Sequence, residues 1–327
     1  MTRSELAAAI LGSEIFTSWH WFRYHFSHEL YGVGHPLAGG FMDAALECEA
    51  RMPGYANEVV RRIASLGGRE KHLPDWEQLL TILAELYVVA QIARWPWPAG
   101  TSFESEPTAQ GSRKNPEIAV RLNGSTYAYE VKTPCLFSHQ EARRTNPIQI
   151  ASRYVDAAVL PRIVGGTQLY TPPRDNPIKD FLKSAEEKFR PFASSITSFT
   201  GILVICWDDF VYEPISALEH PQCGLLTDNS YFTGNDGIPV TFPSVGGVVV
   251  VRHLHQLFRA CRDEPVGDGL RGPFDYGYPE NFPWKSFHQN PIAPPVPNAA
   301  IECLHARSPA LEMGTEYFPK EYVMWLG

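Results

Sequence analysis

Two strand-like runs joined by an Asn-Gly pair constrain this chain more than any other stretch of it. Residues 117–122 and 125–132 flank Asn123-Gly124, a dipeptide that tolerates positive φ at both centres of a tight hairpin turn. With a two-residue loop, Leu122 pairs with Ser125 and Glu117 falls opposite Glu130. Two carboxylates then share one sheet face, and Lys132, two residues beyond Glu130, joins them by strand alternation. Tyr127, Tyr129 and Val131 should face the other way and pack on a helix. Like charges opposed at about 4.5–5.5 Å destabilise a sheet. A shared proton, a nearby cation or a bound metal ion must offset that cost.

The flanking elements predict an α/β fold. Residues 1–72 read as a helical N-terminal region, with one run from Glu5 to Phe26, a Gly/Pro break from Gly32 to Gly40 and a second run from Phe41 to Leu66. A strong helix start follows, with Asp75 as the expected N-cap and Gln78 as its capping-box partner; Pro96 and Pro98 stop this helix near Trp95. Asn176-Pro177 opens another helix, whose apolar residues at 178, 181, 182, 185, 189 and 192 need a sheet face to lie on. Residues 201–206 and 246–251 read as buried strands. The expected division is a helical region over 1–72, a core over 73–212, and a strand with a Pro-rich, loop-rich extension over 213–327.

A third acid belongs with the hairpin pair. Glu85 has Ile82, Val88 and Val89 as its helical neighbours, and a charge on such a face needs a partner. The economical expectation is that the helix after Asp75 packs beside the hairpin and aims Glu85 at the same centre. Acids with a lysine on an otherwise apolar sheet suit divalent-metal hydrolysis. Carboxylates hold the ion, with the carbonyl of Val131 as a further donor. The ion acidifies a bound water, and Lys132 adds a point charge at the attacking water or the phosphate. A surface salt-bridge ladder is the alternative for these three residues, and an arginine partner is the alternative for Glu85.

Pro116-Glu117, the hairpin, Glu130-Val131-Lys132, the preceding helix with Glu85 and the following helix and strand together resemble the PD-(D/E)xK nuclease superfamily over roughly residues 75–210. The resemblance implies a restriction-endonuclease-like mixed central sheet flanked by helices, with Mg²⁺- or Mn²⁺-dependent phosphodiester hydrolysis. It implies Glu117, Glu130 and Lys132 as the catalytic set, with Glu85 assisting. Two departures stand out. The first acid is Glu where Asp is usual, which moves the carboxylate outward by a methylene. Many members carry a glutamine on the helix after the lysine, where Lys188 is the nearest candidate here.

Charge distribution bears on partners. The chain of 327 residues has 44% hydrophobic content and net charge −8, which argues against coating nucleic acid through bulk charge. Residues 110–190 nevertheless hold 13 Lys and Arg against 8 Asp and Glu. Arg113, Lys114, Arg143, Arg144, Lys179 and Lys183, with Lys188, are the candidate phosphate contacts, although such residues also commonly just solvate a surface. Lys179 and Lys183 should lie opposite the apolar stripe of their helix. His20, His25, His28 and His35 lack zinc-like spacing and are read as packing and surface residues, and the six scattered cysteines as free thiols. No apolar run approaches the roughly 20 residues of a membrane span, and the N-terminus lacks a signal-like segment, so a cytoplasmic chain is expected.

The expected function is a nuclease acting on DNA. The alternatives are an inert nuclease-fold binding or regulatory module, or a toxin or defence component that needs a partner chain. The expected use of the appended regions is to shape substrate choice or to bind a partner, and a homodimer or a protein partner is left open.

Overall fold

The computed structural model describes residues 1–67, 72–109, 114–150, 153–154, 169–277, 285–309 and 325–326. Five helices come first: α1 (Arg3–Gly12), α2 (Glu14–Thr17), α3 (Arg23–Leu30), α4 (Pro36–Arg51) and α5 (Tyr55–Ala64). The long helix α6 (Leu73–Arg94) leads into β1 (Ser102–Ser105), β2 (Ile118–Leu122) and β3 (Ser125–Lys132). After α7 (Leu136–Thr145) come the short strands β4 (Ile148–Gln149), β5 (Arg153–Tyr154) and β6 (Tyr170–Thr171). Next are α8 (Ile178–Ser195), β7 (Phe199–Trp207), α9 (Tyr212–Glu219), β8 (Val245–Arg252) and α10 (Leu254–Cys261). The chain ends with β9 (Lys285–Gln289), α11 (Asn298–Glu302) and β10 (Trp325–Leu326).

Six strands form one mixed sheet in the order β1-β2-β3-β7-β8-β9. The central strands β3, β7 and β8 run parallel, while β1–β2, β2–β3 and β8–β9 pair antiparallel. Helical crossovers make the parallel pairings, as they must. The fold is thus α/β, a mixed sheet flanked by helices. Among the described residues no helix is long and apolar enough to cross a membrane.

Each sheet face has its own apolar core. On one side Tyr127, Tyr129 and Val131 of β3 pack with α6 residues such as Leu83 and Leu86, and with the N-terminal Phe22, Phe26 and Phe41. On the other, Ala128 of β3 meets Ile178, Leu182, Ala185 and Phe189 of α8, together with Leu203, Val248 and Val250. The apolar stripe of α8 therefore finds the sheet face its spacing requires.

Three expected details differ. The N-terminal break is shorter than predicted, because Pro36 starts α4 with His35 as N-cap and the helix continues through Gly39 and Gly40. Helix α6 begins at Leu73, before Asp75; Pro74 has no amide to leave unsatisfied and its fixed φ preorganises the first turn. Asp75 sits inside that turn and pairs with His72 at 2.9 Å instead of capping. The Pro-rich C-terminal part also contributes a real sheet member, β9, antiparallel to β8.

Phe189 of α8 packs directly over Gly201 of β7. A Cβ at Gly201 would lie 2.6 Å from the Ser244 carbonyl oxygen, and the Phe189 ring crowds the same space. Gly201→Ala should therefore destabilise the fold by about 1–3 kcal/mol, read as a lower urea midpoint. An unchanged midpoint would mean that this helix–sheet contact is not tightly packed.

Candidate active site

The hairpin forms with the expected register. Ile118 pairs with Tyr129 and Leu122 with Ser125, and Asn123 (φ 51°) and Gly124 (φ 82°) turn the chain. At Glu117 the ladder changes. Its amide donates to the Tyr129 carbonyl at 2.9 Å, although Ile118 already opposes Tyr129. Two residues facing one is a bulge, which re-aims the side chain. Glu117 is therefore not squarely opposite Glu130 as a simple two-residue hairpin predicts. Among the described residues, β3 beyond Tyr129 keeps a strand neighbour only on the β7 side, where Glu130 pairs with Leu203 and Lys132 with Ile205. The resulting notch joins the two faces of the sheet.

Charged groups from four elements and the bulge meet at this notch. Glu130 has no exposed surface. Its Oε1 lies 2.7 Å from the Lys132 ammonium and 2.6 Å from that of Lys188, off line for a hydrogen bond, and its Oε2 accepts from Lys188 at 2.8 Å. Lys188 also stands 3.6 Å from Glu117. It reaches in from α8 at the border of the stripe formed by Ala185 and Phe189. From the other face α6 supplies Glu85, 7% exposed, which accepts from Arg62 of α5. Glu85, Glu117, Glu130, Lys132 and Lys188 thus come together, joined by Arg62.

Sequence reasoning missed Arg62 as a named residue, though it left an arginine partner for Glu85 open. Its only signal is its place beside the buried Val59 and Ile63 on an amphipathic helix. A buried carboxylate on α6 demands a cation, but spacing alone does not choose one from a distant helix.

Three carboxylates against three cations balance formally, yet the balance is uneven. Burial, then the charges of Glu85 and Glu130, push the Glu117 carboxyl from 4.5 up to about 8, against the opposing pull of Lys188 and Arg62. Burial likewise raises Glu85, with Arg62 pulling the other way. Lys188 is lowered by burial, but Glu130 and Glu117 outweigh this and leave it more basic than a free lysine. The cluster lacks enough positive potential to keep every acid ionised near neutrality. Its donors are carboxylate oxygens, the ligands that Mg²⁺ and Mn²⁺ prefer.

The expected phosphate contacts scatter. Lys114 pairs with Glu187 of α8, and Arg144 lies on exposed α7 3.6 Å from Glu141. Arg143 lines a cavity of about 320 Å³ with Phe137, His139, Arg174, Phe210 and Phe258. Lys183 is exposed. Lys179 is buried at 6% exposure with its ammonium 2.8 Å from Asp180, so it does not share the outer face expected for it. The first turn of α8 sinks into the core with Ile178, taking Lys179 with it. Arg113 lies outside the described residues. Val131 is buried in β3, its side chain in the core on the α6 side.

A pH dependence follows from Glu117. Its folded form holds a proton more tightly than the unfolded chain does. The stability this contributes is full below about pH 4.5 and is lost as pH rises through about 8. Urea unfolding of the metal-free protein should show falling stability over that window, by a few kcal/mol at most. Glu117→Gln should flatten the slope, and equal slopes in both proteins would refute the assignment. In comparisons with known proteins, the chain matches no family model, no curated protein and no solved structure.

Proposed function

We propose that the chain is a metal-dependent nuclease of the PD-(D/E)xK kind, with a restriction-endonuclease-like core and DNA as its substrate. The observation that carries this reading is the meeting of Glu85, Glu117, Glu130, Lys132 and Lys188 at a notch in a sheet. They come from α6, the bulge, β3 and α8, and although Lys132 and Lys188 compensate the buried Glu130, a sheet needs no group of three acids gathered at one point. The resemblance read from the sequence names four of them in the same roles.

The residues fit a hard divalent cation. Glu117 and Glu130 would hold Mg²⁺ or Mn²⁺, with the Val131 carbonyl and Glu85 completing the donor set. When bound, the ion supplies a more acidic water and charge neutralisation at the phosphate. The protein's own groups do the rest. Lys132, a quarter exposed, can donate to the attacking water or a phosphate oxygen. Lys188 holds the Glu130 carboxylate in place and offsets its desolvation. Arg62 fixes Glu85, and so positions it without touching substrate.

One observation favours a second reading, an inert module that keeps the fold. Lys188 already stands between Glu117 and Glu130, with its ammonium among the carboxylates that would hold the ion. Calorimetric titration with Mn²⁺ separates the two: binding that is lost in Glu117→Gln/Glu130→Gln supports the nuclease, and no binding, or binding unchanged in that variant, supports the inert module.

For the nuclease, Mg²⁺-dependent cleavage of plasmid DNA should fall at least about 100-fold in Glu130→Gln and in Lys132→Ala, with circular dichroism unchanged. Cleavage that persists in chelator, or in both variants, would exclude this chemistry.

A further inference from the structure

A second group of ligand atoms shares no residue with the notch and differs from it in chemistry. His25 of α3, His35 at the N-cap of α4 and Asp263 after α10 point three donor atoms at one another. His25 Nδ1 is 3.0 Å from His35 Nε2, His35 Nε2 is 2.8 Å from Asp263 Oδ1, and His25 Nδ1 is 3.6 Å from the same oxygen. We propose that these three residues bind a divalent transition metal of the zinc class, independently of the nuclease reading.

The distances suit that ion. Ligands at about 2.0–2.2 Å from a tetrahedral zinc are separated by roughly 3.3 Å, close to the three separations here. Two imidazole nitrogens and a carboxylate form a donor set typical of such metals rather than of Mg²⁺.

Hydrogen bonding alone explains the cluster poorly. His35 Nδ1 accepts from the Leu37 amide at 3.2 Å, which places its single proton on Nε2. That one proton faces both His25 Nδ1 and Asp263 Oδ1, and a metal ion would satisfy all three atoms together. His25 is 2% exposed, and its Nε2 is buried with no partner among the described residues. The polar contacts of this buried ring therefore lie at the cluster.

Ligation through His35 Nε2 would move the proton to Nδ1, exchanging one long capping bond for coordination. A surface cavity of about 640 Å³, lined in part by Tyr24, His28, His35, Asp263 and Glu264, gives an entry path and room for a water as fourth ligand. His25 and His35 belong to the N-terminal helices, and Asp263 follows 228 residues after His35. A bound ion would therefore tie the N-terminal helices to the segment that follows α10.

Titration of the full chain with Co²⁺, followed by its visible absorption, tests this. The expected result is one site with the intense bands of four-coordinate Co²⁺, displaced by Zn²⁺, and a higher melting temperature with Zn²⁺. His35→Asn retains a helix-capping side chain, and Asp263→Asn suits the positive φ of 58° at that position. Each should weaken Co²⁺ binding by roughly tenfold or more, while a Glu117→Gln/Glu130→Gln double variant keeps the spectrum. No four-coordinate spectrum in the wild type, or one unaffected by His35→Asn and Asp263→Asn, would overturn the proposal.

Discussion

A carboxylate with no exposed surface, set in the middle strand of a sheet, cannot stay charged unless cations are brought to it. Glu130 imposes that requirement, and the surrounding structure meets it from two directions. Lys132 comes from the same strand and Lys188 from the helix lying on the same face. Removing a buried ion's partner is costly, because the remaining charge is left without compensation in a poorly solvated place. The apolar stripe of α8 thus has two consequences: it covers the sheet, and it sets the depth at which Lys188 enters.

The notch lets the two sheet faces communicate at this one place. From Thr126 to Tyr129, β3 is paired on both sides and its side chains are segregated, the tyrosines towards α6 and Ala128 towards α8. At the bulge that precedes β2, Glu85 and Arg62 from the α6 side interact with groups from the α8 side. A longer β2 would close the gap and separate the acids into two unrelated ion pairs.

Much of this was legible from the sequence, for reasons that can be named. The Asn-Gly turn sets the register, and the register places Glu130 and Lys132 on one face. The spacing in α8 sets its buried side. What escaped depends on contacts between distant segments or on local competition. Arg62 became visible only once α5 was packed on α6. The bulge at Glu117 is a departure from regular pairing that alternation cannot foresee. Pro74 outcompeted Asp75 as the determinant of where α6 begins, and the sinking first turn of α8 buried Lys179. The pairing of β9 with β8 was hidden by the prolines and glycines that surround it.

The strand order carries a further consequence for how the chain acquires its shape. The partner of Glu130 in the next strand is Leu203, and the strands that flank β7 on its far side lie later still. Pairings across such separations close large loops and form slowly compared with helices. During synthesis the hairpin would emerge with its acids already near one another, well before α8 could deliver Lys188. For that interval the acids have Lys132 on their own strand and Arg62 from α5, and the third cation joins them only with its helix.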